Sequence, residues 1–320
     1  MQPASERPVE SFSGKNHGGG MPGVAASLAF AAALAIAGGA WLACAPEAPE
    51  GTVAGSGAAD SFDEWTNSIG MTFVRIPAGQ FLMGSDSERA YADEQIRTRV
   101  RLQSSFWMGK YEVTQGQWQA VMGENPSEFS NCGPDCPVES VSWNEVQEFV
   151  AKLNANEEGA RYRLPTESEW EYAARGGVAA DTPAGDLKIA GEHNAPLLDA
   201  IAWYGGNSGV SYEGGYDCSK WEEKQKPSSL CGSHPVGQKA ANAFGLHDVL
   251  GNVWEWVMDW YGEYPGGEST DPAGQASGSL RVLRGCGWNS DARGCRLSYR
   301  GWAGPDYRKG ILGIRLLKAE

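Results

Sequence analysis

Residues 244–256 read FGLHDVLGNVWEW, residues 281–300 read RVLRGCGWNSDARGCRLSYR, and residues 310–315 read GILGIR. No regular period survives this stretch: a helical stripe breaks at Gly245 and Gly251, and strand alternation lasts only from Val282 to Arg284. The chain must therefore turn repeatedly. Glycines at such turns supply backbone conformations that side chains resist, while Trp254, Trp256, Trp260 and Trp288 supply large apolar bodies with one polar atom each. A fold built this way wedges aromatic rings between loops.

The composition agrees. In 320 residues there are 43 glycines and 17 prolines beside 41% hydrophobic residues, which implies many turns around a substantial core. A formal net charge of -14 makes the nucleic-acid backbone a repulsive partner, so no nucleic acid is expected. The 4 histidines form no His-x-x-x-His pair, and no Cys-x-x-Cys occurs, so a histidine-built zinc or iron site is not expected.

At the N-terminus, Arg7, Lys15 and His17 precede an apolar, alanine-rich run from Val24 to Ala45 that ends in Ala43-Cys44-Ala45 before Pro46. This pattern reads as an export signal with cleavage after Ala45. The run is also long enough for a retained membrane anchor, and Cys44 offers a third route, lipidation, although Leu42 is bulky for that signal. Residues 1–45 are thus expected to be a signal peptide or a membrane/lipoprotein signal, and membrane attachment through the N-terminus stays open. Residues 46–65 read as a flexible acidic Ala/Gly-rich tether, and 66–320 as the folded domain. The expected location is extracytoplasmic: secreted, periplasmic or surface membrane-anchored.

Six further cysteines, Cys132, Cys136, Cys218, Cys231, Cys286 and Cys295, suit three disulfides in an oxidising compartment. Formally there are 15 pairings for six cysteines. Cys132 and Cys136 close a tight loop, and Cys218 and Cys231 bracket a polar insertion, which would leave Cys286 and Cys295 for each other. The other reading is that some are buried free thiols.

Met71 to Phe81 alternates around a turn at Pro77–Gly79 and reads as two short strands, with a third strand pattern from Val100 to Trp107. Gly84 to Thr98 is charged and reads as solvent-facing. Capping boxes are expected at Thr114 with Gln117, Ser142 with Glu145, and Thr166 with Glu169. Val146, Phe149, Val150 and Leu153 form a helical stripe, and Trp170, Ala173 and Ala174 should pack inward before Gly176 and Gly177 end their helix. Glu171 and Arg175 read as an ordinary i, i+4 ion pair, worth roughly 0.3 to 0.5 kcal/mol. Between residues 194 and 233, Trp203, Tyr204, Tyr212, Tyr216 and Trp221 lie among glycines, either as loop clamps or as a contact surface.

RLPTESEWEYAARGG at 163–177, with GLHDVLGNVWEW, RGCGWN and GILGIR, resembles the signature blocks of the sulfatase-modifying factor, or formylglycine-generating enzyme (FGE), domain family over Met71 to Leu317. The resemblance implies a mixed α/β (α+β), C-type-lectin-like fold with short strands, few helices and extensive loops. It implies a structural calcium at Asp248, Gly251, Val253 and Glu255, where the sequence itself places two carboxylates on a turning backbone. The oxidase members use two cysteines to bind copper(I) and convert a substrate cysteine to formylglycine. Ser290 stands at the first of those positions and Cys295 at the second, and a serine hydroxyl is a poor copper(I) ligand. Cys286 and Gly287 also replace a glycine and a serine of the preceding turn. The expectation is therefore a binding module for an exported protein, peptide or glycan, acting through Trp288, Ser290, Asp291, Trp302 and Tyr307. The alternative is the copper-dependent oxidase acting at Cys295 and Ser290.

Overall fold

The computed structural model describes residues 63–320; the expected export signal and residues 46–62 of the tether lie outside them. Glu64–Thr66 already forms a strand, antiparallel to Thr72–Ile76. A five-stranded sheet then runs in the order Glu64–Thr66, Thr72–Ile76, Phe106–Gly109, Leu317–Ala319, Tyr162–Arg163, with every neighbour antiparallel. It ties the start of the domain to its end. Gly79–Met83 turns away from this sheet to pair with Thr98–Leu102, which also takes Gly267–Thr270 as a parallel neighbour. The two strands flanking Pro77 thus belong to different sheets.

A four-stranded sheet orders Gly301–Ala303, Arg281–Arg284, Trp254–Trp260 and Leu312–Gly313. It gathers the three stretches quoted first, and its register is irregular between Trp256 and Trp260. Gly285 (φ 94°) and Cys286 (φ 60°) then turn the chain sharply out of the sheet.

The helices Gln115–Met122, Trp143–Asn156 and Glu167–Arg175 begin at Thr114, Ser142 and Thr166, each with a reciprocal capping box. Local bonding explains why: each hydroxyl accepts the amide three residues on, satisfying an otherwise orphaned donor. Val146, Phe149, Val150 and Leu153 are buried, and Phe149 stacks on Trp118 with centroids 4.7 Å apart. The result is a mixed α/β fold with few short helices, many short strands and long loops.

Two expectations about charge need correction. Glu171 and Arg175 are buried, with side chains 0% and 6% exposed, and Glu171 also binds Arg284 at 2.5 Å. The helix lays this face against the strand Arg281–Arg284, so the pair is an interior network. Glu94, in the stretch expected to face solvent, is fully buried against Arg296 at 2.6 Å. Burial alone would raise the Glu94 pKa, but its bonds to Arg296 and Ser298 outweigh that and hold it below its ordinary value. Glu167 completes the set by binding both Arg284 and Arg300.

Candidate ligand-binding face and metal centre

Beyond Cys286 the turn is held by its own backbone. The Ser290 amide donates to the Gly287 carbonyl at 3.0 Å, while Ser290 Oγ accepts the Gly287 amide at 3.0 Å. The Ser290 carbonyl accepts the Gly205 amide at 2.9 Å, joining this turn to the long excursion through residues 194–233. Gly205 permits that approach: a Cβ there would stand 2.4 Å from His193 Cδ2 and 2.8 Å from the Ser290 carbonyl oxygen. Asp291 Oδ1 accepts the Gly294 amide at 2.6 Å, and both Ser290 and Asp291 remain half-buried.

Trp288 is the floor of this region. It is 4% exposed and donates Nε1–H to the Gly310 carbonyl at 2.8 Å. Phe129 meets it edge-on at 5.1 Å, Trp221 stacks on it at 6.0 Å, and Tyr216 tilts against it at 5.6 Å. Trp221 in turn stacks on His193 at 5.4 Å, and Tyr216 is 50% exposed. Among the aromatics of residues 194–233, Trp221 clamps its loop, and Tyr216 presents a ring to solvent. His193, Tyr216 and Trp221 were not among the expected site residues, and their only sequence signal was aromatic residues without a period.

Trp302 does not share these neighbours. It lies on Gly301–Ala303, opposite Val282, with its ring 4.5 Å from Tyr261. Tyr307 is half-buried in a turn closed onto the Gly304 carbonyl, beside the Pro305 carbonyl that accepts the Asn144 amide. Of the five expected binding residues, the structure joins Trp288 to Trp221 and Ser290 to Gly205, keeps Asp291 in the turn beside Ser290, and gives Trp302 and Tyr307 other surroundings.

The cysteine bonding argues against the oxidase alternative. Cys286 and Cys295 form a disulfide, as do Cys132 and Cys136, and Cys218 and Cys231. Every cysteine among the described residues is thereby bonded, and no paired thiolates stand at Ser290 and Cys295 to bind copper(I).

At the expected calcium position, Asp248 (φ 53°) is buried, with Oδ2 accepting the Gly237 amide at 2.6 Å and Oδ1 buried without a hydrogen bond. Glu255 is committed elsewhere: Oε1 takes Arg315 at 2.8 Å and Oε2 takes Trp170 Nε1–H at 2.6 Å. Glu112 lies close by, accepting the Asn252 side-chain amide at 2.7 Å and the Val253 amide at 3.1 Å. Burial first, then the charges of Asp248 and Glu255, push Glu112 well above its ordinary pKa, and burial also raises Asp248. The orphaned Asp248 oxygen and the surplus of carboxylate charge over Arg315 fit a hard cation; Glu255, held by Arg315 and Trp170, does not fit as a direct ligand. Among the described residues no group of three or more His, Cys, Asp or Glu side chains is arranged to hold a metal ion.

The sulfatase-modifying factor enzyme 1-like domain family matches residues 60–320. This chain belongs to that family. Chaperone protein LppX of Paenibacillus barcinonensis is 31% identical over 284 residues, spanning 77% of this chain and 89% of its own length. The formylglycine-generating enzyme of Bos taurus is 27% identical over 298 residues, spanning 76% of this chain and 73% of its own. Among solved structures, Treponema denticola variable protein 1 superposes with a TM-score of 0.64 at 30% identity, covering 81% of this chain and 99% of that one. PvdO from Pseudomonas aeruginosa gives 0.64 at 25% identity, with 81% and 98% covered. These likenesses span the FGE-like domain, and the disulfide at Cys295 sets this member apart from the paired-thiolate oxidase chemistry.

Proposed function

We propose that this FGE-family domain is an extracytoplasmic binding module that engages an exported protein or peptide through the face formed by Tyr216, Trp221, Ser290 and Asp291. The observation that carries this reading is Tyr216, 50% exposed, beside Trp221 on the buried Trp288 floor. Rigid rings with polar tips bind at low entropic cost, and such residues dominate interface energetics. Ser290 and Asp291 add polar groups whose positions are set by backbone bonds to Gly287 and Gly294. The chaperone name of the Paenibacillus relative supports a protein partner. Three disulfides suit an oxidising compartment.

Peptide arrays tiling exported proteins test this. Binding should fall at least about tenfold in Tyr216→Ala and Trp221→Ala, as for interface hot spots, and persist in Trp302→Ala. Unchanged peptide binding in both loop variants, or binding to a glycan array in place of peptides, rejects the reading.

We further propose a calcium ion as a structural brace, held by Asp248 Oδ1 with the carbonyls of Gly251 and Val253. Support comes from the unpaired buried oxygen and the surrounding carboxylates. When bound, the ion supplies positive charge and oxygen coordination, not reaction chemistry. Asp248 and Glu112 then hold in place the turn that positions Asn252 and Val253.

A further inference from the structure

A cavity of about 290 Å³ lies between the start of the helix Glu167–Arg175, the end of the strand Trp254–Trp260 and the loop through residues 262–275. It lies on a set of residues distinct from the Tyr216–Trp221 face. Its walls are largely apolar, with Met83, Val100, Trp260, Tyr264, Pro265 and Pro272. The polar groups lining it are mostly committed within the fold. The Thr98 hydroxyl accepts the Gly266 amide, Ser168 donates to the Pro272 carbonyl, and the Gln275 side-chain amide donates to the Glu263 carbonyl. Glu167 is bound by Arg284, Arg300 and the Tyr264 hydroxyl.

Asp259 is the exception. It is 4% exposed; Oδ2 accepts the Glu167 amide at 2.8 Å, while no hydrogen bond among the described residues reaches Oδ1. Gly274 (φ 73°) passes close to that oxygen, where a Cβ would stand 2.4 Å from Oδ1, so the loop admits only a glycine there. The nearby cations are bonded elsewhere: Arg300 pairs with Glu167, and Arg281 lies between the Trp143 and Trp260 rings, donating to the Met258 carbonyl. A buried carboxylate with one oxygen unbonded is costly, and a positively charged donor relieves that cost most fully.

We propose that this cavity binds a small organic amine, its ammonium on Asp259 Oδ1 and its apolar body against Met83, Val100 and Tyr264. The size agrees: a cavity of about 150 Å³ accepts benzene, so this one holds a ring with a short arm. Burial, then the charge of Glu167, raises the Asp259 pKa to about 7, so an incoming cation also favours its ionisation.

Calorimetric titration of the whole protein with 2-phenylethylamine at mildly alkaline pH tests the site, with 2-phenylethanol as the neutral isostere. Saturable binding of the amine is expected, with the alcohol at least about tenfold weaker, the scale of a charge-assisted hydrogen bond. Asp259→Asn, which keeps an acceptor for the Glu167 amide, should weaken the amine by a similar factor and leave the alcohol unchanged. Equal affinity for amine and alcohol, or no saturable amine binding, overturns the proposal. If the variant does not fold, the amine-to-alcohol ratio on the natural protein decides alone.

Discussion

The ion network around the helix Glu167–Arg175 and the aromatic face around Trp288 are both built from turns of the C-terminal half, yet they are held differently. In the network, Glu167 and Glu171 lie against Arg284 and Arg300 from distant segments, and Glu171 also pairs with Arg175 of its own helix. On the face, the Ser290 and Asp291 side chains bond to amides of their own turn, and Tyr216 rests against the Trp221 and Trp288 rings while staying half exposed. A network of interlocked charges tolerates no single change, whereas a face built on local backbone bonds leaves its side chains replaceable.

The largest effect should come from breaking the network. Arg284→Ala leaves Glu167 and Glu171 short of a buried partner and should cost about 3–5 kcal/mol in chemical denaturation. Ser290→Ala removes one hydrogen bond to the Gly287 amide and should cost only about 1 kcal/mol. Similar losses for the two would erase the distinction.

Each region also carries a titrating carboxylate, so variants of the two separate their shares of the pH dependence. Burial raises Asp259 beside the helix from 3.8 to about 7, and burial raises Glu139, which accepts the Phe129 amide under Trp288, from 4.5 to about 7. A folded pKa above the unfolded one means the native state binds more protons between those values. The stabilisation is complete below the unfolded pKa and is lost as pH rises through about 7. Without added ligand, stability should therefore fall from mildly acidic to neutral pH by on the order of a few kcal/mol. Asp259→Asn and Glu139→Gln should each flatten part of that slope in melts across the range; a slope untouched by both variants contradicts the assignment.

Opening the Trp221 loop comes next. Replacing Cys218 and Cys231 by serine releases a bridge of sequence separation 13. It should cost about 3 kcal/mol by loop entropy and reduce peptide binding, because Trp221 loses its tether. Peptide affinity unchanged by this double substitution would separate the loop from the site.

Calcium should act between the two regions. If the ion is bound at about a hundred times its dissociation constant, chelation should remove about 2.7 kcal/mol, read as a lower Tm that calcium restores. Asp248→Asn should shrink that response. An unchanged melt on chelation argues against the ion.

Local features of this protein were readable from sequence alone. The caps at Thr114, Ser142 and Thr166 depend on a residue three positions away, so their bonds follow from adjacent chemistry. The stripe from Val146 to Leu153 and the loop-rich α/β character follow in the same way from spacing and glycine content. Partnerships across long separations were not readable. Glu94 read as solvent-facing because its partner Arg296 is 202 residues away, and Glu171 read as half of a simple i, i+4 pair because Arg284 is 113 away. The same holds for the site: Ser290 and Asp291 were visible as chemical departures, but only folding laid Trp221 on Trp288 and set Trp302 against Tyr261. Sequence determined the local bonds, whose partners lie within one turn. Tertiary structure decided burial and neighbourhood, because desolvation of a charge or a ring depends on every chain segment that closes over it.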